Sequence, residues 1–328
     1  MGLTVAVTGP TGDIGIAAVA ALEKDANVDR IIGMARRPFD PESHGWTKTS
    51  YRQGDILDRD AVDALVADGD VVVHLAYVIM GSREESARVN LNGTRNVFEA
   101  CVAGAPQKRP RRLVYSSSVA AYGYHPDNPV PLTEEVPPRG SPEHYYSEQK
   151  AACEAALAEL TKDSPLEVLI LRPCVVAGPQ AQTLVDVLPW NRVPYLSTAS
   201  RILPVLKPLV PDPGIPLQLV HHDDVAAAIA LAATGSAPPG AYNIAGDGVL
   251  SVSDVAAALG GRPVRVPAVA AEVATAVLAR LPVVPSSAEW LHIARTSVVM
   301  DTNKAKTQLG WTPQYTSAQT LQALVASQ

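Results

Sequence analysis

The segment HYYSEQK sets Tyr146 and Lys150 four residues apart, and positions i and i+4 share one face of a helix. An ammonium beside a phenol favours the phenolate, so this spacing is expected to draw the tyrosine pKa down toward working pH. Such a phenol is a candidate general acid/base for moving a proton on or off an alcohol or carbonyl oxygen. Tyr145 does not qualify, because the residue four positions on is Gln149. A Tyr/Lys pair at this spacing also arises by chance on solvated helices. It acquires meaning only from the elements around it.

Those elements begin at the amino terminus. LTVAVTG is a short apolar run, TGPTGDIG follows it, and IGIAAVAALEKD has helical spacing. A buried parallel strand, a glycine turn and a helix opening are the parts of a dinucleotide-binding βα unit. Of Gly9, Gly12 and Gly15, the first allows the turn and the second lets the backbone approach a pyrophosphate. The helix amino end offers free N–H groups to the same anion. Further on, RRLVYSSSVAAYG reads as an apolar strand ending in Ser116, Ser117 and Ser118. Hydroxyls at the carboxyl end of a parallel strand lie where open α/β sheets bind ligands, although serine runs also simply form turns.

The remaining signals set bounds. A chain of 328 residues holds one large or two moderate domains. A net charge of −6, with KRPRR (Lys108 to Arg112) as the one basic cluster, argues against a nucleic-acid surface. Cys101, Cys153 and Cys174 are scattered, without metal-ligand or disulfide spacing. A reduced, cytoplasmic protein without a metal site is expected. No basic and apolar leader precedes the first strand. The apolar runs are too short to span a bilayer, and Glu272 and Arg280 interrupt the alanine-rich stretch after Pro267.

Strand-like LTVAVTG, RIIGMA, DVVVHLA, RRLVYSSS and LEVLILRP alternate with helical patterns from about Ile14, Ala61, Arg83 and Tyr145. This rhythm predicts an α/β fold with a doubly wound parallel sheet. After Gly178 it changes: Pro179 to Pro216 is proline-rich and irregular, as a substrate-facing segment would be. QLVHHDDVAAAIALAAT then returns a strand and a helix, with Asp223 or Asp224 as N-cap. His221, His222, Asp223 and Asp224 read as capping residues rather than metal ligands, because neighbours on a strand point to opposite faces. A strand-like AYNIAG, a helix from Ser253, an apolar helix near Ala268 to Leu281 and a last helix near Ser317 complete the chain.

The glycine spacing, a strand ending in SSS followed by YG, and the Y-x-x-x-K helix occur in that order. Together they resemble the extended short-chain dehydrogenase/reductase family of the NAD-dependent epimerase/dehydratase type, over nearly the whole chain. The resemblance implies a Rossmann-like domain from residues 1–178 plus about 217–236. A smaller carboxyl-terminal substrate domain would take about 179–216 plus 237–328, including TNKAKTQLGWTP. It implies Ser118, Tyr146 and Lys150 as the catalytic set: Tyr146 exchanges the proton, Ser118 clamps the same oxygen, and Lys150 depresses the tyrosine pKa and holds the nicotinamide ribose. Cofactor contacts are implied for Gly9, Thr11, Gly12, Asp13, Ile14 and Gly15 in the glycine loop, and for Asp55 and Ile56 beside the adenine. Leu75, Ala76 and Tyr77 after the fourth strand are implied as well, with Ser116, Pro173 and Cys174. Asn90 either supports the active site or merely satisfies local backbone groups.

Departures from the family pattern bear on cofactor and substrate. The strand after the fingerprint usually ends in Asp for NAD; GMARRP has Ala35 there, followed by Arg36 and Arg37. Two guanidiniums and no carboxylate suit a 2′-phosphate, so NADP is favoured over NAD. Val119 and Ala120 follow the serine run where dehydratases place acids. Val175 stands where sugar-nucleotide epimerases often carry Asn. No arginine pair for a diphosphate is obvious in 179–216, although Arg192, Arg201, Arg262, Arg265 and Arg295 are candidates. The first reading is an NAD(P)-dependent oxidoreductase acting on a moderately apolar small molecule. The alternatives are a sugar-nucleotide 4-epimerase with tightly held NAD and a non-catalytic dinucleotide sensor. The family also implies a homodimer through the helices near Arg83–Ala103 and Tyr145–Leu160.

Overall fold

Seven parallel strands form one sheet in the computed structural model, which describes residues 2–79, 82–103, 109–179, 181, 209–267 and 297–327. In its first half β1 (Leu3–Thr8), α1 (Asp13–Lys24), β2 (Val28–Ala35), β3 (Thr49–Gln53), α2 (Arg59–Val66) and β4 (Val71–His74) follow one another. Then come α3 (Arg83–Ala87), α4 (Thr94–Ala103), β5 (Arg112–Ser116), α5 (Tyr145–Thr161) and β6 (Glu167–Pro173). Beyond them lie β7 (Val175–Ala177), β8 (Leu209–Asp212), β9 (Pro216–Leu217), β10 (Leu219–His221), α6 (His222–Thr234) and β11 (Gly240–Ile244). The chain closes with β12 (Leu250–Ser251), α7 (Val252–Ala258), β13 (Arg262–Arg265) and α8 (Ser317–Ala326).

The spatial order is β11-β6-β5-β4-β1-β2-β3. Strand order therefore reverses between β1 and β4, and the crevice beyond their carboxyl ends is where a doubly wound sheet takes its ligand. Alternate residues feed two cores. Val5 and Val7 pack with Val19 and Leu22 of α1 and with Val225 and Ile229 of α6. Ala6, Val72 and Leu113 pack with Leu65 of α2, Phe98 of α4 and Leu157 of α5 on the other face. All four residues of β4 are buried, as a central parallel strand requires. Full burial of a side chain such as Leu22 or Leu65 stabilises the fold by about 1.5–3 kcal/mol.

Two strands depart from the sequence reading. β3 (TSYRQ) has no apolar run, because it is the sheet's edge and only one side of it needs packing. Gly240–Ile244, assigned from sequence to the substrate domain, instead pairs in parallel with β6 as the opposite edge. A five-residue apolar run says nothing of its partner, which is chosen by α6 returning the chain to the sheet. The carboxyl-terminal segment is tied back through Asp224, whose carboxylate accepts from the backbone N–H groups of Gln314 (2.7 Å) and Tyr315 (3.1 Å). Trp311, fully buried, donates from its ring N–H to the Asp224 carbonyl at 2.8 Å. The helix expected near Ala268–Leu281, and Arg192, Arg201 and Arg295, lie outside the described residues. Arg262 and Arg265 are exposed on β13. Among the described residues no helix is long and apolar enough to cross a membrane.

Candidate active site

The glycine loop is shaped by close backbone approach. Gly9 has φ +73°, and a Cβ there would stand 2.7 Å from the Ala76 nitrogen. A Cβ on Gly15 would stand 2.1 Å from the Gly9 carbonyl oxygen, so no other residue fits between turn and helix. Gly12 differs: its nearest neighbour would be the Gly9 oxygen at 3.7 Å. It is the N-cap of α1 and supplies no side-chain capping bond. The first-turn N–H groups, at Asp13 and Ile14 among others, thus meet an open surface at the positive end of the helix dipole. Thr11 lies in the same turn, partly buried. This cradle fits a dinucleotide pyrophosphate.

At the end of β2, Ala35 is followed by Arg36 and Arg37, both exposed. Their main chain is pinned from β3. The Tyr51 hydroxyl lies on the carbonyl oxygens of Ala35, at 2.7 Å, and Arg37, and the Gln53 amide donates to the Arg36 carbonyl at 2.9 Å. Asp55 accepts from the Leu57 N–H at 3.0 Å, and Ile56 is buried beside Gly93. The pair expected beside the adenine is therefore a turn held in place by its own bonds.

Across the crevice, Leu75 donates its N–H to the Thr8 carbonyl at 3.1 Å, bringing the loop Leu75–Tyr77 against the glycine turn. Asn90 sits in a π-helical turn (Arg88–Gly93), a widening that is common at functional sites. Its side-chain oxygen accepts from the Val78 N–H, and its amide donates to the Val78 carbonyl and to Gln149, each at 2.8 Å. Asn90 thus satisfies local backbone groups and also ties the loop to α5.

The three candidate catalytic side chains converge at the tip of β5. Ser118 is extended and accepts from the Ala120 N–H at 3.2 Å, and Tyr146 lies within hydrogen-bonding reach of it. Lys150 donates to the Ser116 carbonyl at 2.9 Å, and its ammonium stands 3.6 Å from the centroid of the Tyr77 ring. Burial pulls Lys150 down to about 8, with Cys153 and Glu154 acting in the opposite direction. Burial pushes the Tyr146 phenol up to about 12, opposed by its hydrogen bond with Ser118. The expected lowering of Tyr146 by Lys150 is not what this geometry produces. Helical spacing aligns the two residues, but the lysine side chain ends on Ser116 and Tyr77, 5.8 Å from the Tyr146 ring centroid. The neighbouring Tyr145 hydroxyl donates to the Ile79 carbonyl at 2.9 Å.

Sequence reasoning missed His74. Its two ring nitrogens meet Thr8 (2.6 Å) and Thr94 (3.0 Å), joining β1, β4 and α4 beneath the crevice. Burial, reinforced by Lys150, lowers it to about 3, so it is a neutral strut. Pro173 ends β6, and the Cys174 N–H donates to Ile244 at 2.9 Å, so these two positions are set by the edge strand.

The cap of α6 is His221, not Asp223 or Asp224: its ring nitrogen accepts from the Asp223 N–H at 3.3 Å. Nor do the two histidines point apart, because the strand ends between them; their ring centroids are 4.2 Å apart. His221, His222 and Asp223 bring ligand-type atoms within 4.8 Å of one another. Their chemistry is nevertheless that of a cap, since a helix amino end disfavours a cation and the His221 lone pair is engaged.

The sequence profile of the NAD dependent epimerase/dehydratase family matches residues 5–245. The chain belongs to that family. It is similar to the uncharacterized protein y4nG of Sinorhizobium fredii, 27% identical and covering 96% of this chain and 76% of that one. It is also similar to cinnamoyl-CoA reductase 2 of Medicago truncatula, 24% identical over 60% of this chain and 61% of the relative. In fold it matches the UDP-glucuronic acid 4-epimerase of Bacillus cereus in complex with NAD, with a TM-score of 0.72 at 18% identity, over 99% of this chain and 98% of the other. The protein is thus an enzyme of a family of NAD-dependent epimerases and dehydratases.

Proposed function

We propose that this family member is an NAD(P)-dependent oxidoreductase that reduces a carbonyl, or oxidises the matching alcohol, on a moderately apolar small molecule. The observation that carries the reading is the meeting of Ser118 and Tyr146 above Lys150, at the crevice that the glycine loop also borders. When bound there, the nicotinamide supplies the hydride. Tyr146 gives its proton to the substrate oxygen, and Ser118 hydrogen-bonds the same oxygen as charge develops on it. Lys150, charged and held at the Ser116 carbonyl, is placed to bind the ribose and to steady the phenolate left behind. A phenol near 12 carries its proton at neutral pH, which suits the reducing direction. Val119 and Ala120, both buried after Ser118, offer no second acid/base pair for dehydration.

A sugar-nucleotide 4-epimerase is the second reading, supported by the named activity of the Bacillus cereus structure. Absorbance and fluorescence of the purified protein separate the two. Tightly retained nicotinamide identifies the epimerase, and freely exchanging cofactor identifies the oxidoreductase. The family match favours both over a non-catalytic sensor.

Within this reading the cofactor is NADP, supported by Arg36, Arg37 and the absence of a carboxylate at Ala35. Replacing both arginines with Ala is expected to weaken NADPH by about tenfold or more, the scale of a lost charge-assisted hydrogen bond, with a much smaller effect on NADH. Titration of both cofactors checks this. Equal losses, or wild-type preference for NADH, would assign the arginines to solvent.

The dinucleotide domain takes residues 1–178 and about 217–236 and the sheet edge 240–244, leaving the rest to the substrate domain. The buried, free Cys101, Cys153 and Cys174 fit a reducing cytoplasm. Ala152, Ala155 and Ala158 form an exposed small-residue stripe on α5, which supports a homodimer through α4 and α5. Light scattering at micromolar concentration is expected to give twice the chain mass. A fully active monomer would reject this interface.

A further inference from the structure

Two turns beyond Tyr146 and one beyond Lys150, the same helix carries Glu154, which is 4% exposed. Its carboxylate accepts from the Ser117 hydroxyl at 2.5 Å and from the Arg172 guanidinium at 2.6 and 3.1 Å. Arg172, on β6, is also 4% exposed. Its guanidinium carbon lies 4.5 Å from the centroid of the Tyr122 ring, and Tyr122 in turn donates to Asn243 of β11 at 2.7 Å. A buried ion pair is weak evidence of added stability, because desolvation consumes most of its attraction. This one also leaves one buried Arg172 nitrogen without a protein partner among the described residues. Its value is therefore to be sought in geometry.

The geometry is specific. Ser117 lies between Ser116, whose carbonyl receives Lys150, and Ser118, which meets Tyr146. At its amino end α5 is held by Ser147, whose hydroxyl donates to the Ala120 carbonyl at 2.6 Å, and by Gln149, which accepts from the Asn90 amide at 2.8 Å; beyond Lys150, Glu154 adds a buried polar contact to the strands. A forked, bidentate contact restrains both rotation and sliding of the helix.

We propose that Glu154 and Arg172 are positioning residues for the catalytic pair. The buried ion pair, with Ser117, locks α5 onto the tip of β5 and sets a negative charge one helical turn from Lys150. This rests on the reading of Tyr146 and Lys150 as catalytic. Lys150 faces His74 and Tyr77 from β4 and its following loop, Tyr115 from β5, and Tyr146, Cys153 and Glu154 from its own helix. The effect of burial on Lys150 is opposed by Cys153 and then by Glu154, of which Glu154 is the carboxylate.

The test uses Glu154→Gln, which keeps the shape but drops the charge, Arg172→Lys, which keeps the charge but loses the fork, and the double variant Glu154→Leu/Arg172→Met. The double variant leaves no buried charge unpaired and guards against simple misfolding. Two quantities are read on each full-length protein: kcat and KM for NADPH-dependent reduction across pH, and the Lys150 titration followed by NMR of lysine labelled at Cε. Glu154→Gln is expected to lower kcat by about 10²-fold, the cost of a small misplacement of reacting groups, with little change in KM. Its Lys150 titration is expected to move to lower pH, and Arg172→Lys, which keeps the charge, is expected to lower kcat by less than Glu154→Gln does. A folded double variant with wild-type kcat and an unmoved Lys150 titration would overturn the proposal. Tyr146→Phe is assayed in parallel. If it is inactive while the Glu154 variants match wild type, positioning alone fails; if it is fully active, the catalytic reading beneath the proposal fails.

Discussion

Tyr146→Phe is expected to lower turnover by roughly 10²–10⁴, the range for losing general acid/base assistance, while leaving the fold and cofactor affinity intact. The substitution removes one oxygen from a ring that keeps its other contacts. The Tyr77 ring stands edge-on to it at 5.6 Å, and the His144 ring does so at 6.1 Å. Neither contact needs the hydroxyl. What disappears is the proton next to Ser118, in a place where burial holds the phenol protonated at neutral pH. Steady-state kinetics with an aldehyde or ketone panel, beside a cofactor titration, is the measurement. Turnover near wild type would remove Tyr146 from the chemistry.

Gly15→Ala is expected to destabilise the protein by about 1–3 kcal/mol or more, the cost of forcing a methyl group into a filled space, and to abolish tight cofactor binding. The added carbon would meet the Gly9 carbonyl oxygen at 2.1 Å and backbone atoms of Pro10 at 2.8 and 2.9 Å, none of which can rotate away. Relief requires α1 to move off the turn that shapes the pyrophosphate cradle. Gly12→Ala is the control. Its Cβ meets nothing closer than 3.7 Å, so melting should stay near wild type while dinucleotide affinity falls. Thermal unfolding and a binding titration on both variants decide. A Gly15→Ala protein that melts and binds like wild type would show that helix and turn do not pack this closely.

The contrast between these two glycines marks the limit of what a sequence reveals. The fingerprint, the Tyr/Lys spacing and the serine-tipped strand were legible because each is local. Strand periodicity, turn chemistry and helical spacing are carried by residues a few positions apart, and those intervals set backbone conformation directly. That was enough to place β1, β2, β4, β5 and β6, the helices between them and a parallel sheet, and to single out Ser118, Tyr146 and Lys150. Arg36, Arg37 and Ala35 were equally visible as an exposed strand end.

Only the tertiary structure decided where side chains finish and what they meet. The polar edge strand Thr49–Gln53 takes its conformation from pairing with β2 rather than from its own pattern. Gly240–Ile244 joins the sheet through a partner some seventy residues earlier. His221 and His222 come together because a strand turns into a helix between them. Lys150 ends on Ser116 and Tyr77 instead of on the Tyr146 ring, and Glu154 finds Arg172 on another strand. The pKa values of Tyr146 and Lys150 follow from burial, which depends on every element packed around them. Local spacing names the groups that could do chemistry; burial and long-range contact set their charge, because solvation is a property of the whole fold and not of a segment.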